Sequence, residues 1–285
     1  MKKIIIALSA LFAVNSYAQM SCCSKPGATE TFAMLTKDKK FVNTHEEPLP
    51  FTFVNGTGSD ISYKTPDGKE GYGYMIKSEK PTGKFLFMIH EWWGLNDYIK
   101  QEAEKWYKSL DNVTIIAIDL YDKKVASNRD SAAKYMGSVT KDRAEAIIKG
   151  ALGYAEKMAG ETNKEPAFAT VGWCFGGGWS LQASLLAGTK ARACVMYYGM
   201  PEQSQEKLEN LFAPVLFIWP EQDKWINTDV VTKFEATMSK AKKSVEVKKY
   251  NADHAFANPS NPKYNKEFAD DAFNKSIAFI KKHLK

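Results

Sequence analysis

The chain has 285 residues, 44% hydrophobic and 25% charged, with a net charge of +6. That length and composition fit an ordinary globular protein of one large or two modest domains. The Lys and Arg residues are scattered, and no basic stripe with interleaved aromatics appears, so the charge reads as a solvated surface and nucleic-acid binding is excluded.

The chain opens on Lys2 and Lys3, an apolar run over 4–14 and a small-x-small site at Ser16-Tyr17-Ala18. This pattern predicts a secretory signal peptide over 1–18, too short for a membrane span, and export to the periplasm or the medium. No later stretch is long and apolar enough to cross a bilayer. Residues 19–50 are polar without a strong period and are expected to form an extension that packs on the surface or stays loose. The extension holds His45 and the adjacent Cys22 and Cys23. That pair could bind metal, pair between chains or carry lipid, although Gln19 stands where a lipid site wants Leu. The blander reading is an exposed tail with no catalytic role.

From 51 onward, short apolar runs alternate with amphipathic ones. Strands are predicted at 51–54, 61–65, 71–76, 84–90, 113–120, 167–173, 193–199, 214–220 and 244–250. Helices are predicted at 96–110, 130–159, 177–187, 229–241 and 266–284. In 96–110 the apolar positions Ile99, Ala103, Trp106 and Leu110 recur at three- and four-residue steps. The central strands are apolar on both faces, as in a covered parallel sheet. One domain over 51–285 follows, a doubly wound, mainly parallel α/β sheet with helices on both faces. Cys194 reads as a buried strand residue, and His283 as a helix-end histidine.

Ligands of such sheets bind beyond the carboxyl ends of the strands. Cys174 follows 167–173, Asp223 follows 214–220 and His254 follows 244–250. Cys174 sits in G-x-C-x-G with Gly172 and Gly176, the layout of a sharp strand-to-helix turn that presents a nucleophile. The order nucleophile, acid, histidine is that of α/β-hydrolases. A thiol needs a neighbouring base to ionise near neutral pH; His254 supplies it, and Asp223 would hold the imidazole in the right tautomer. The amide of Phe175, at the start of the following helix, is placed to stabilise an oxyanion.

The segments 89-IHEWWGLN-96, 118-IDLY-121, 171-VGWCFGGG-178, 196-MYYG-199, 216-LFIWPEQD-223 and 250-YNADHAF-256 resemble the dienelactone hydrolase family of α/β-hydrolases, over roughly residues 60–285. The resemblance implies a Cys–His–Asp triad on Cys174, His254 and Asp223. It also implies a glutamate, Glu91, that contacts the resting thiol and helps convert it to thiolate, and a second oxyanion amide at Trp92. Arg129 matches a carboxylate-binding arginine, with Tyr135 close to an expected tyrosine. A second arginine would stand where this chain has Asn258, which cannot make the bidentate contact, so a substrate other than dienelactone is expected. Trp92 and Trp225, in loops at strand ends, are expected as walls of a pocket for an apolar or flat acyl or lactone group.

The resulting expectation is an exported hydrolase of a small-molecule ester or lactone, needing no metal or organic cofactor and acting as a monomer or weak homo-oligomer. Three rivals stay open: a thioesterase or other acyl hydrolase of the same fold, a non-catalytic binder, and a redox protein built on Cys22 and Cys23.

Overall fold

The computed structural model describes residues 26–285; the predicted signal peptide, Cys22 and Cys23 lie outside them. The strands are β1 Ser59–Lys64, β2 Glu70–Ile76, β3 Lys84–Ile89, β4 Thr114–Asp119, β5 Ala167–Trp173, β6 Ala191–Tyr197, β7 Val215–Pro220 and β8 Val245–Tyr250. They form one sheet in the order β1-β2-β4-β3-β5-β6-β7-β8. The β1–β2 and β2–β4 pairs are antiparallel and the other pairs parallel. Every residue of β4 and β7 is buried, because helices cover both faces. The edge strand β8, VEVKKY, is only partly buried, and its lysines discourage pairing with another chain.

The helices are α1 Ala28–Met34, α2 Lys39–Thr44, α3 Asp97–Ser109, α4 Arg129–Ser138, α5 Lys141–Glu161, α6 Phe175–Ala187, α7 Gln205–Leu208, α8 Thr228–Lys240 and α9 Lys266–His283. Side-chain caps set where many of them begin. Asn96, Asn128, Thr140, Asn227 and Asn265 each accept a backbone N–H from the first turn. The Thr140 cap corrects one expectation. The stretch predicted as one helix over 130–159 is two, α4 and α5, because Thr140 starts a new N-terminus.

Two further expectations fail. Residues 51–54 form no strand; Phe53 N–H donates instead to the Asp97 carboxylate at 3.0 Å. The extension neither lies loose nor only coats the surface. It folds into α1 and α2, and its Phe32 and Phe41 are 1% and 0% exposed. Burying two aromatic side chains holds a segment whose overall polarity hid them. Cys194 is buried in β6, as expected.

The sheet positions the site through its topology. The chain lays β4 on one side of β3 and β5 on the other, so the loops after β3 and β5 diverge and leave a crevice at their carboxyl ends. Glu91 and Trp92 follow β3, and Cys174 follows β5.

Candidate active site

Cys174 sits between β5 and α6 with φ 54° and ψ −117°, a left-handed conformation that costs a non-glycine residue about 1–3 kcal/mol. The surroundings enforce it. A Cβ on Gly172 would lie 2.0 Å from Gly176 O, and one on Gly176 would lie 2.3 Å from both His90 O and Ile89 O. Only glycine permits this approach, so the run read as a glycine turn forms the first turn of α6, two residues earlier than predicted. Cys174 N–H donates to Tyr197 O at 3.0 Å, tying the turn to β6. The thiol is buried, and that burial pushes it above its ordinary value; the His254 charge and the Phe175 amide oppose the shift without reversing it.

Asp223 and His254 come from the loops after β7 and β8. Asp223 Oδ1 accepts the backbone N–H groups of Trp225 at 2.9 Å and Ile226 at 3.0 Å. Its Oδ2 faces His254 Nδ1 at 2.5 Å. A carboxylate only accepts, so Nδ1 carries a proton and Nε2 is the nitrogen turned toward the thiol. Burial would raise Asp223, yet His254 and the two amides hold it below the usual carboxylate range. Burial would lower His254, yet Asp223 and Cys174 together more than offset this and make the imidazole a stronger base than usual. Nε2 is buried, makes no hydrogen bond and lies within 4.8 Å of Cys174 Sγ. The structure therefore brings Cys174, Asp223 and His254 together.

Glu91 is buried, and burial raises its carboxyl to about 8, so it is neutral at pH 7. The loop carrying it is anchored by His90, which donates from Nδ1 to Glu91 O at 2.8 Å and accepts Leu120 N–H on Nε2 at 3.0 Å. With Nε2 accepting, and burial lowering its basicity, His90 is neutral, and its 3.7 Å approach to Asp119 is not an ion pair. Trp92 is fully buried, its indole N–H without a partner.

The residue that the sequence reading left out is His45. It follows α2, is 6% exposed, and places Nε2 3.9 Å from Cys174 Sγ. Its ring stacks on Trp92, with centroids 4.3 Å apart and planes at 19°. Nδ1 lies 2.9 Å from Phe41 O; a carbonyl only accepts, so Nδ1 holds the proton and Nε2 is a lone pair. Burial, with the nearby His254 charge, lowers its pKa to about 3, so the ring is neutral. Phe41 meets Trp225 edge-on at 5.1 Å and Trp92 at 5.6 Å. The available signal was FVNTH, an aromatic and a histidine four residues apart in a polar segment.

The expected substrate contacts are otherwise engaged. Arg129 Nε donates to His45 O at 2.7 Å, so this guanidinium clamps the extension. Asn258 Oδ1 accepts both the N–H and the hydroxyl of Ser260 at 2.7 Å, which makes it a local turn. Tyr135, on α4, packs edge-on against Tyr121 with centroids 6.1 Å apart. Trp225 does line the site, where Thr44, His45, Asp223, Trp225 and His254 enclose a cavity of about 50 Å³. A larger cavity of about 470 Å³ borders β1, β2 and the end of β4 and touches none of these groups.

No helix of the described residues is long and apolar enough to cross a membrane. Residues 72–284 match the model of the dienelactone hydrolase family. Protein usf of Aquifex pyrophilus is 30% identical over 226 residues, covering 76% of this chain and 96% of that protein. A protein of Aquifex aeolicus, provisionally named a carboxymethylenebutenolidase, is 28% identical over 225 residues, covering 77% and 96%. The crystal structure of a provisionally named dienelactone hydrolase from Klebsiella pneumoniae superposes with a TM-score of 0.66 at 19% identity, covering 79% of this chain and 99% of that one. The family match spans most of the chain and includes the turns carrying Cys174, Asp223 and His254: the protein belongs to the dienelactone hydrolase family and is an α/β-hydrolase enzyme.

Proposed function

We propose that the protein is an exported thiol hydrolase that cleaves an ester or lactone through a thioacyl-enzyme on Cys174. The observation that carries this reading is the strained Cys174 turn facing an imidazole that Asp223 holds at 2.5 Å. His254 Nε2 takes the thiol proton, and the thiolate sulfur attacks the carbonyl carbon. The amides of Phe175 and Trp92 hold the resulting oxyanion. On collapse the C–O bond breaks and the departing alkoxide takes the proton from His254. Water, deprotonated by the same Nε2, then attacks the thioester and regenerates the thiol. A lactone would follow the same steps, with its alkoxide remaining tethered to the acyl group.

Glu91 supports the reading by being neutral: a protonated carboxyl does not oppose a thiolate. Substrate choice follows from the occupied contacts. With Asn258 standing where a second guanidinium is expected and held in its own turn, the pair of arginines that would clamp a carboxylate is incomplete, which favours an uncharged acyl group between Trp92 and Trp225. Ligand pockets usually measure about 300–1,000 Å³, whereas the cavity beside Asp223 and His254 measures about 50 Å³. His45 lies against the buried thiol, so we infer that α2 and His45 move aside when substrate binds.

Hydrolysis of short-chain aryl esters and simple enol-lactones tests the proposal, wild type beside Cys174→Ala. Turnover that drops by at least a hundredfold in the variant supports it. Turnover that persists in the variant, or is absent from a folded wild type across the panel, contradicts it. Export rests on Lys2, Lys3 and the apolar run over 4–14. Cell fractionation should recover the protein outside the cytoplasm with an intact mass that begins at Gln19; protein confined to the cytoplasm with Met1 retained would contradict export.

A further inference from the structure

Three ligand atoms of the types that bind thiophilic transition metals meet at the mouth of the site. His45 Nε2, Cys174 Sγ and His254 Nε2 all lie within 4.8 Å of one another, with His45 Nε2 and Sγ 3.9 Å apart. Donor atoms around a tetrahedral zinc are roughly 3.5 Å apart, given metal–ligand distances of about 2.0–2.3 Å. Closing the three onto one ion therefore takes shifts of about an ångström.

The groups behind the ligands are also those of a metal centre. An imidazole that binds metal through one nitrogen donates its other N–H to a carboxylate or a backbone carbonyl, which fixes the tautomer and aims the lone pair. His254 does this to Asp223 at 2.5 Å, and His45 does it to Phe41 O at 2.9 Å. Both Nε2 atoms therefore point inward, toward the thiol. The His254 side chain is 8% exposed, and its Nε2 is buried with no hydrogen-bond partner, a polar atom left waiting for a partner inside the site. His45 is fixed further by its stack on Trp92 and by Arg129 on its carbonyl. Hydrolysis does not require any of this from His45.

The geometry points to a binding site for one thiophilic transition-metal ion, such as Zn²⁺, held by His45, Cys174 and His254. The mixed N₂S donor set suits zinc or copper and disfavours Mg²⁺ or Ca²⁺. Both histidines bind as neutral rings, so the thiol proton and the Nε2 proton of His254 both leave: Cys174–SH, protonated His254 and M²⁺ yield Cys174–S–M⁺ bound to neutral His254 and two H⁺, with no change of oxidation state. Bound metal would take the nucleophile and its base together and pin α2 over the crevice. The enzyme would then be held closed while the metal is present and released by a chelator. The binding claim stands independently of the hydrolytic reading, because it uses only the three donors and their supports.

Co²⁺ reports such a site by its thiolate-to-metal charge-transfer band. The full chain is titrated with Co²⁺ and then with competing Zn²⁺, in a Cys22→Ser/Cys23→Ser background that removes the two N-terminal thiols. His45→Phe, which keeps a ring to stack on Trp92, and Cys174→Ala are compared, with thermal unfolding to confirm that each is folded. The expected result is one ion per chain, a thiolate band displaced by Zn²⁺, loss of the band in Cys174→Ala, and at least tenfold weaker binding in His45→Phe. No thiolate band in the background protein, or unchanged affinity in His45→Phe, overturns the inference. Metal binding by a protein that, stripped of metal by a chelator, hydrolyses no ester would leave the inference standing and remove the hydrolytic reading; hydrolysis without metal binding would do the reverse.

Discussion

At Glu91 the two consequences of burying a carboxyl can be separated by pH. The folded protein keeps the proton up to about 8, whereas an unfolded glutamate loses it near 4.3. The folded state therefore binds more protons between these values. The associated stability is fully present below about pH 4.3 and is lost as pH rises from there through 8, by roughly 5 kcal/mol. Glu91→Gln removes that dependence: urea unfolding should show the variant gaining on wild type from pH 5 to pH 9. In catalysis, ionised Glu91 opposes the thiolate, so wild-type kcat/KM should fall above about pH 8 and the variant should hold level. The same alkaline limb in both would remove Glu91 from the account.

The residues of the site differed in how readable they were. Cys174, Asp223 and His254 were readable because each follows a strand, and strand ends are visible as breaks in hydrophobicity. His45 was not, because the contact that gives it meaning spans 129 positions and depends on how a polar segment docks. Arg129 was recognised by type and place, but its partner, a backbone carbonyl of that segment, has no sequence signature.

Among the elements, the glycines of two helices make opposite predictions. Gly176 in α6 lies against the His90 and Ile89 carbonyls, while a Cβ on Gly153 in α5 would meet nothing within 4 Å. Gly176→Ala should destabilise by about 1–3 kcal/mol or more. Gly153→Ala should stabilise by about 0.5–1 kcal/mol, the helix preference of alanine over glycine. Thermal unfolding of the pair tests whether the close approach at the turn, rather than helix propensity, is why α6 opens on glycines. The α1–α2 segment carries a further prediction. Phe41 is fully buried against Trp92 and Trp225, so Phe41→Ala should undock α2 and uncover Cys174. Alkylation of Cys174 by iodoacetamide, followed by peptide mass, should quicken at least tenfold; an unchanged rate would mean that the extension does not guard the thiol.

Over the whole molecule, the alternation of apolar runs and amphipathic stretches carried the sheet to within a residue or two at most strands, because a covered parallel strand must be apolar on both faces. It misplaced 51–54, where an apolar pattern has no neighbouring strand to pair with, and it merged α4 with α5, where a single capping threonine outweighs a continuous period. The sheet order sets the crevice between the ends of β3 and β5, and the extension then closes it. The central claim is that Cys174 carries the acyl group at that crevice. Rapid acid quenching during turnover of a slow aryl ester, followed by peptide mass spectrometry, tests it directly. The account predicts an acyl mass on the peptide containing Cys174 in the wild type, and none in Cys174→Ala. Turnover with no adduct on Cys174, or an adduct on another residue, would contradict it.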